Sequence, residues 1–523
     1  MPKPGVDHAK HASTNHHVAT ILVVSAPTTY KNATPAPPAP KTPHDAPLLD
    51  RVFRLSENRT TVRVEVMAGL TTFFASVFTV LAIPGMMAGG AAMAVGADGP
   101  NPGIVNAVYI AAVLSSILGS LLMAFLANLP FVQAPGMGLG SYLAFTVMPA
   151  IGVLAAPATL TDVQVFQMAL ALVFASGLLF VLLSATGVRQ AIIDGIPRNI
   201  KVALGAGIGL FITLLGLRQS GVVVASGGTF VTLVNFSDWG HQDAAVRAQV
   251  LGAVLAVAGF LLMAVLHARK VKGAILIGIF ATTALAYATG QTALPESFSF
   301  DLGRQFSDFA QYSLFGLDVG SFLNLGSLGH VLAVVLAMVL AHCLVNALDS
   351  LGTIFGVASA AGMVDRDGHV VGLERGLLSD AIGTAGGALL GSSSTATVVS
   401  SASGINEGGR TGLTALVTSG MFVLALVAAP FVPLIPLVAT GPALIMVGCL
   451  MMSQVKQVDF HDLTEAVPAF LAIAIMPLTF SIANGIAFAL ISCVVLKLAT
   501  GRWREISWPA ATIGALFVLQ FLV

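Results

Sequence analysis

Apolar runs long enough to cross a bilayer recur from residue 66 almost to the end of this sequence, and no other feature constrains the fold as hard. A membrane-crossing helix needs about 20 mostly apolar residues. Such runs lie near 66–87, 105–126, 136–151, 164–186, 199–217, 248–267 and 272–289, and again near 328–355, 375–390, 396–408, 411–435, 440–455, 466–480 and 482–499. That is seven plus seven, with a more polar stretch between the sets. Composition agrees: charged residues are 9% of the 523 and hydrophobic residues 56%, whereas soluble domains are about 25% charged. A chain with so little polar surface takes lipid as its solvent. The 54 glycines suit helices that approach closely where lipid supplies no hydrophobic drive. The expected fold is an all-α polytopic membrane protein of about 14 transmembrane segments.

Basic residues test that count independently, because cytoplasmic loops carry an excess of Lys and Arg. With a cytoplasmic amino terminus, 21 of the 24 Lys and Arg fall on the cytoplasmic side, among them Arg63, Lys201, Lys270, Arg410 and Arg502; only Arg218, Arg247 and Arg304 fall outside. A wrong span count would scatter them. The sequence therefore divides into a disordered cytoplasmic tail (1–50), a first seven-span repeat (51–290), a polar extracytoplasmic connector (291–326), a second seven-span repeat (327–507) and a short apolar segment (508–523). The tail is rich in Pro and carries His8, His11, His16, His17 and His44, a low-complexity composition that builds no core.

Several chemistries are excluded. Net charge is zero, so nothing marks a nucleic-acid footprint. Cys343, Cys449 and Cys493 sit in apolar runs without a His or Cys at ligand spacing, and read as small packing residues. No metal, cofactor or enzymatic motif is expected; Asp365–Gly368 has the start of a calcium loop but not its remaining ligands, and reads as a turn.

Two segments are too broken to cross as ordinary helices. Residues 129–141 pack two prolines and three well-spaced glycines around Gln133, and residues 391–404 are rich in Ser and Thr around Thr397 and Ser400. Each is the third element of its set of seven. Interrupted segments in matching positions point to two inverted repeats with a binding site at the breaks. Backbone freed from helix at that depth must line a cavity or be buried in protein, and a helix that resumes there offers N–H groups to a polar ligand. A second polar feature lies in span 8. His342, Asn346, Asp349 and Thr353 are spaced four, three and four apart, which places them within about 60° of arc on a helix. Ionisable groups at such positions are costly and mark function. Asp380 lies near the start of span 9 and suits a cap or interhelical hydrogen bond, while Glu65 and Asp194 read as interface charges beside Arg63 and Arg198.

Over about residues 55–520 the chain resembles the adenine–guanine–hypoxanthine permease branch of the nucleobase–cation symporter-2 family. The matching stretches are 65–73, 134–139 (Ala-Pro-Gly-Met-Gly-Leu), Ile196-Pro197 with 205–211, 349–353 (Asp-Ser-Leu-Gly-Thr), 408–415 and 480–488. The resemblance implies a proton-coupled secondary active transporter of the inner or plasma membrane, taking up a purine nucleobase or related heterocycle and often assembled as a homodimer. Spans 1–4 and 8–11 would form a core that moves, elevator-like, against a gate of spans 5–7 and 12–14. On that scaffold the breaks and the stripe are expected to supply the substrate site, Gln133, Gly136, Gly138, Gly140, Asn346, Asp349, Thr397 and Ser400, with Asp349 and His342, the titratable groups left there, coupling protons. This sequence departs from the family at four polar positions, where it carries Ile83, Gly140, Asn346 and Ser400, and it adds Gln133 where the family is apolar. The alternative is a carrier or facilitator of another small solute on the same scaffold.

Overall fold

The computed structural model describes residues 47–155, 160–186, 195–226, 230–240, 243–292, 301–325, 328–360, 363, 372–479 and 481–522. The tail to residue 46, Asp194 and the 365–368 turn lie outside the described residues. The fold is helical, and fourteen segments follow one another at the expected places. Span 1 is Val62–Ser76 continued by Phe78–Val95, span 2 Pro102–Leu122, span 4 Asp162–Thr186, span 5 Arg198–Gln219, span 6 Ala244–Ala268 and span 7 Ala274–Ala288. In the second half, span 8 is Leu328–Ala360, span 9 Leu373–Leu390, span 11 Gly412–Ala425, span 12 Leu437–Met452, span 13 Leu463–Leu478 and span 14 Ile482–Ala499. A last helix, Trp508–Leu522, packs on span 14.

Nine of the helices among the described residues are long and apolar enough to cross a bilayer on composition alone, with three shorter apolar ones beside them. Span 9 is not among them, because Glu374, Arg375 and Asp380, together with its hydroxyls and glycines, make it too polar by composition.

Spans 3 and 10 are where the regular pattern fails. Span 2 ends at Asn128 in the left-handed conformation, and Pro130 and Pro135 then deny the chain two backbone donors. Span 3 is consequently a strand, β1 (Gln133–Pro135), followed by helix Met137–Tyr142 and, after a wider turn, helix Met148–Ala155. Gly391, at φ 89°, likewise stops span 9, and span 10 is a strand, Thr395–Thr397, followed by the short helix Ser401–Asn406. A hairpin of β2 (Val223–Ser226) and β3 (Phe230–Leu233) follows span 5, so the span-10 strand is β4. β1 and β4 pair antiparallel, with Gln133 opposite Thr397, Ala134 opposite Ala396 and Pro135 opposite Thr395. The N–H of Gly136 donates to Ser394 O and that of Val398 to Val132 O, each at 3.0 Å. Each broken segment thus satisfies the other's backbone, which lipid could not do.

Close approach organises the remainder. Spans 5 and 12 meet through glycines seven residues apart on both helices: a Cβ on Gly209 would stand 2.7 Å from Gly448 O, and one on Gly216 2.7 Å from Gly441 O. Span 9 lies against spans 2 and 4, span 11 against spans 1 and 2, and span 13 against spans 5 and 14. The connector helix Leu302–Asp308 is fastened to span 2 by Asn106 Nδ2 donating to Asp308 Oδ2 at 2.8 Å.

Candidate functional site

The β1–β4 crossing sits in a buried polar centre. Asp380, fully buried in span 9, brings both broken segments together: Gln133 Nε2 donates to its Oδ1, and the Thr397 hydroxyl donates to the same oxygen at 2.8 Å. Ser120 of span 2 holds the strand itself, its hydroxyl donating to Gln133 O at 3.2 Å and accepting from Gln133 N at 3.3 Å. The Ser401 hydroxyl accepts from Val132 N at 3.0 Å.

The span 8 stripe meets this centre at two of its four residues. His342 Nε2 lies 2.6 Å from Ser394 Oγ, and its ring stacks on Tyr142 of span 3 at a centroid separation of 5.8 Å. Asn346 Nδ2 donates to Thr384 Oγ1 at 2.9 Å, and that hydroxyl donates to Thr395 O at 3.1 Å. The stripe therefore spells out contacts to both breaks. Asp349 and Thr353 face elsewhere, into a small pocket which they share with Lys201, Gly205, Ile208 and Gln454.

The glycines are packing positions. Gly138 lies on Ile208 of span 5, where a Cβ would stand 2.8 Å from its Cγ2; Gly140 lies under Ile83 Cδ1; Gly136 has ordinary room beside Leu139 and Ala396. Ser400 caps the short helix Ser401–Asn406 by position, and its hydroxyl has no partner among the described residues. That helix is six residues long, so of the two helix starts expected to face a ligand only the one at Met137 opens a sustained run. Further buried atoms also lack a hydrogen-bond partner among the described residues: Gln133 Oε1, His342 Nδ1, Asn346 Oδ1, Ser393 Oγ and Thr395 Oγ1. Each such group costs roughly 1–3 kcal/mol unless something pairs with it. Apart from Gln133 Oε1, which is closed in between Gly119 and Gly383, these donors and acceptors around a chain crossing suit a small planar ligand edged with both.

Sequence reasoning undervalued two carboxylates. Asp380 makes the interhelical hydrogen bond expected of it, but to both breaks at once, and the signal was its place among the glycines and hydroxyls of span 9. Glu65 is not an interface charge. It is fully buried, accepts from Arg410 N at 2.9 Å, Thr411 N at 3.4 Å and Thr414 N at 3.2 Å, and takes the Thr414 hydroxyl at 2.5 Å. It closes the amino end of span 11, where unpaired N–H groups favour an anion. Cys449 is exposed, so the packing role read for three cysteines holds for Cys343 and Cys493. Among the described residues no group of three or more His, Cys, Asp or Glu could hold a metal ion.

The fold is that of a membrane transporter. The transmembrane domain of the cyanobacterial bicarbonate transporter BicA aligns with a TM-score of 0.55 at 15% identity, covering 81% of this chain and 97% of that one. The murine anion transporter Slc26a9 in its inward-facing state gives 0.54 at 10% identity, covering 84% and 68%. Sequence is more specific: the pattern described as the permease family matches residues 63–488. The guanine/hypoxanthine permease PbuO of Bacillus subtilis is 37% identical over 479 residues, 90% of this chain and 100% of that protein. The adenine permease AdeP of Escherichia coli is 34% identical over 481 residues, 91% and 96%. The chain belongs to this family of nucleobase–cation symporter-2 permeases, built as two inverted seven-span repeats.

Proposed function

We propose that this permease carries a purine nucleobase or related heterocycle into the cell, coupled to protons. The observation that carries the reading is the pairing of β1 with β4 inside a buried set of polar atoms that lack partners among the described residues, His342 Nδ1, Asn346 Oδ1, Ser393 Oγ and Thr395 Oγ1. A purine edge presents ring nitrogens and exocyclic groups that both donate and accept, and the relatives named as adenine and guanine/hypoxanthine permeases support the choice. Around this centre Asn346, Thr397 and Ser400 form the solute-facing set, Gly136, Gly138 and Gly140 let the surrounding helices close on it, and Asp349, from the neighbouring pocket, exchanges the proton with His342. Spans 1–4 and 8–11 move as a core against a gate of spans 5–7 and 12–14, an elevator in the cell membrane with a cytoplasmic amino terminus. Assembly as a homodimer belongs to the same reading and is carried by the family resemblance. The division is supported by the packing of spans 9 and 11 on spans 1, 2 and 4, and of span 5 on spans 12 and 13. A thermal-shift screen of purified protein against purines, pyrimidines, urate and small organic ions tests the substrate, because a ligand that binds only the folded state raises its stability. Purines should shift the protein; silence from purines with a clear shift from another class overturns the choice.

A second reading has its own observation. Ile83 Cδ1 covers Gly140, so an apolar group packs on the first turn of the helix that begins at Met137. A smaller or less polar solute on the same scaffold fits that lining, and the same screen identifies it.

A further inference from the structure

We infer that Gln133 is a positioning residue and not a contact for the carried solute: its amide, gripped between Gly119 and Gly383, ties Asp380 to the strand crossing and sets the register of spans 3 and 10. The inference rests on the transport reading of the crossing but not on which solute is carried.

Gln133 is fully buried, and four neighbours fix it. The Ser120 hydroxyl pairs with both its backbone N and O, which fixes the strand against span 2. Its side-chain Nε2 donates to Asp380 Oδ1, the oxygen that Thr397 also reaches from β4. Its Oε1 lies in a slot that exists only because two residues lack side chains: a Cβ would stand 2.5 Å from it on Gly119 and 2.6 Å from it on Gly383. The amide is therefore sandwiched between spans 2 and 9, with no room to turn toward a ligand. One carboxylate oxygen receives a donor from each repeat, Gln133 from the first and Thr397 from the second. Gln133 and Thr397 are also direct partners in the strand register. A slip of either strand by one residue would carry its own side chain to the opposite face and take a donor from Asp380. Register is thus specified by side chains in a pair of three-residue strands whose few backbone bonds specify it only weakly.

Two experiments on the full-length protein separate this role from others. Without any solute, thermal unfolding in detergent is compared for Gly383→Ala, Gln133→Ala and the double variant. Gly383→Ala should lower Tm by driving a methyl into the amide, and the double variant should melt no lower than Gln133→Ala alone, because contacting sites are non-additive. Additive losses overturn the slot. With labelled hypoxanthine and proteoliposomes, Gln133→Asn shortens the reach to Asp380 and should raise KM about tenfold with the maximal rate nearly unchanged. Adding Asp380→Glu returns the lost methylene and should bring KM back most of the way. An unchanged KM in Gln133→Asn, or no recovery in the pair, overturns the positioning role, since a general folding defect is not repaired by lengthening a partner. If the unmodified protein takes up no hypoxanthine, the substrate reading fails while the Tm comparison still decides the tie.

Discussion

Glu65 is tolerated in the protein interior because three backbone N–H groups and a hydroxyl surround its carboxylate. Glu65→Ala would strand those donors, at roughly 1–3 kcal/mol for each that stays dry; the variant should show a markedly lower Tm and poor recovery from membranes, with Glu65→Gln between it and the native protein. Asp349 presents the opposite case, a carboxylate facing a pocket. If it carries the coupled proton, Asp349→Asn should remain folded and inserted but lose accumulation driven by an imposed pH gradient in proteoliposomes, and His342→Ala should weaken uptake without abolishing it. Accumulation that survives intact in Asp349→Asn removes it from the coupling. These residues also mark how far the sequence could be read. The stripe of His342, Asn346, Asp349 and Thr353 was legible because helical periodicity is local. That its lower half faces a different space depends on which helices pack there, and periodicity is silent on that. Glu65 was misread because its nearest charge in sequence, Arg63, suggested a solvated pair, while its actual donors come from residues about 345 positions on.

Among the elements, spans 5 and 12 depend on their glycines for contact distance. Gly448→Ala should lower Tm because its Cβ would run into Gly209 O and the Thr213 hydroxyl, whereas Gly420→Ala, with nothing within 4 Å, should be neutral or slightly stabilising. The start of span 13 is tied to the chain after span 14 differently. Arg502 donates to Asp462 Oδ2 at 2.5 Å and to Glu505 at 2.8 Å. The Arg502 guanidinium, then the Thr464 hydroxyl and N–H, hold the Asp462 carboxyl down at about 2. A carboxyl held below its unfolded value contributes stability above that value and loses it as pH falls through the folded one. This tie should therefore be complete above about pH 4 and fade toward pH 2, and Asp462→Asn should flatten that part of an acid-unfolding curve. Both broken spans could be located from their Pro, Gly and hydroxyl content. Their pairing as strands could not, because a three-residue strand has no periodicity of its own.

For the molecule as a whole, topology is the test of the span count. Cysteines at Lys270, Arg410 and Arg502 should label from the cytoplasm, and cysteines at Asp98 and Asp301 only from outside; labelling of 270 and 301 from one side would break the scheme. The ion pair of Lys272 with Glu407, 2.8 Å across the loops after spans 6 and 10, agrees that those loops share a face. The β1–β4 crossing has a consequence for biogenesis. Gln133 and its register partner Thr397 are separated by 264 residues (397 − 133). At synthesis rates of about 5–20 residues per second, the first strand waits on the order of tens of seconds for its partner to leave the ribosome. Throughout that interval its open backbone groups have to be sheltered by water or by the insertion machinery, so the newborn first half is an incomplete folding unit, open to degradation until the second half arrives to close it.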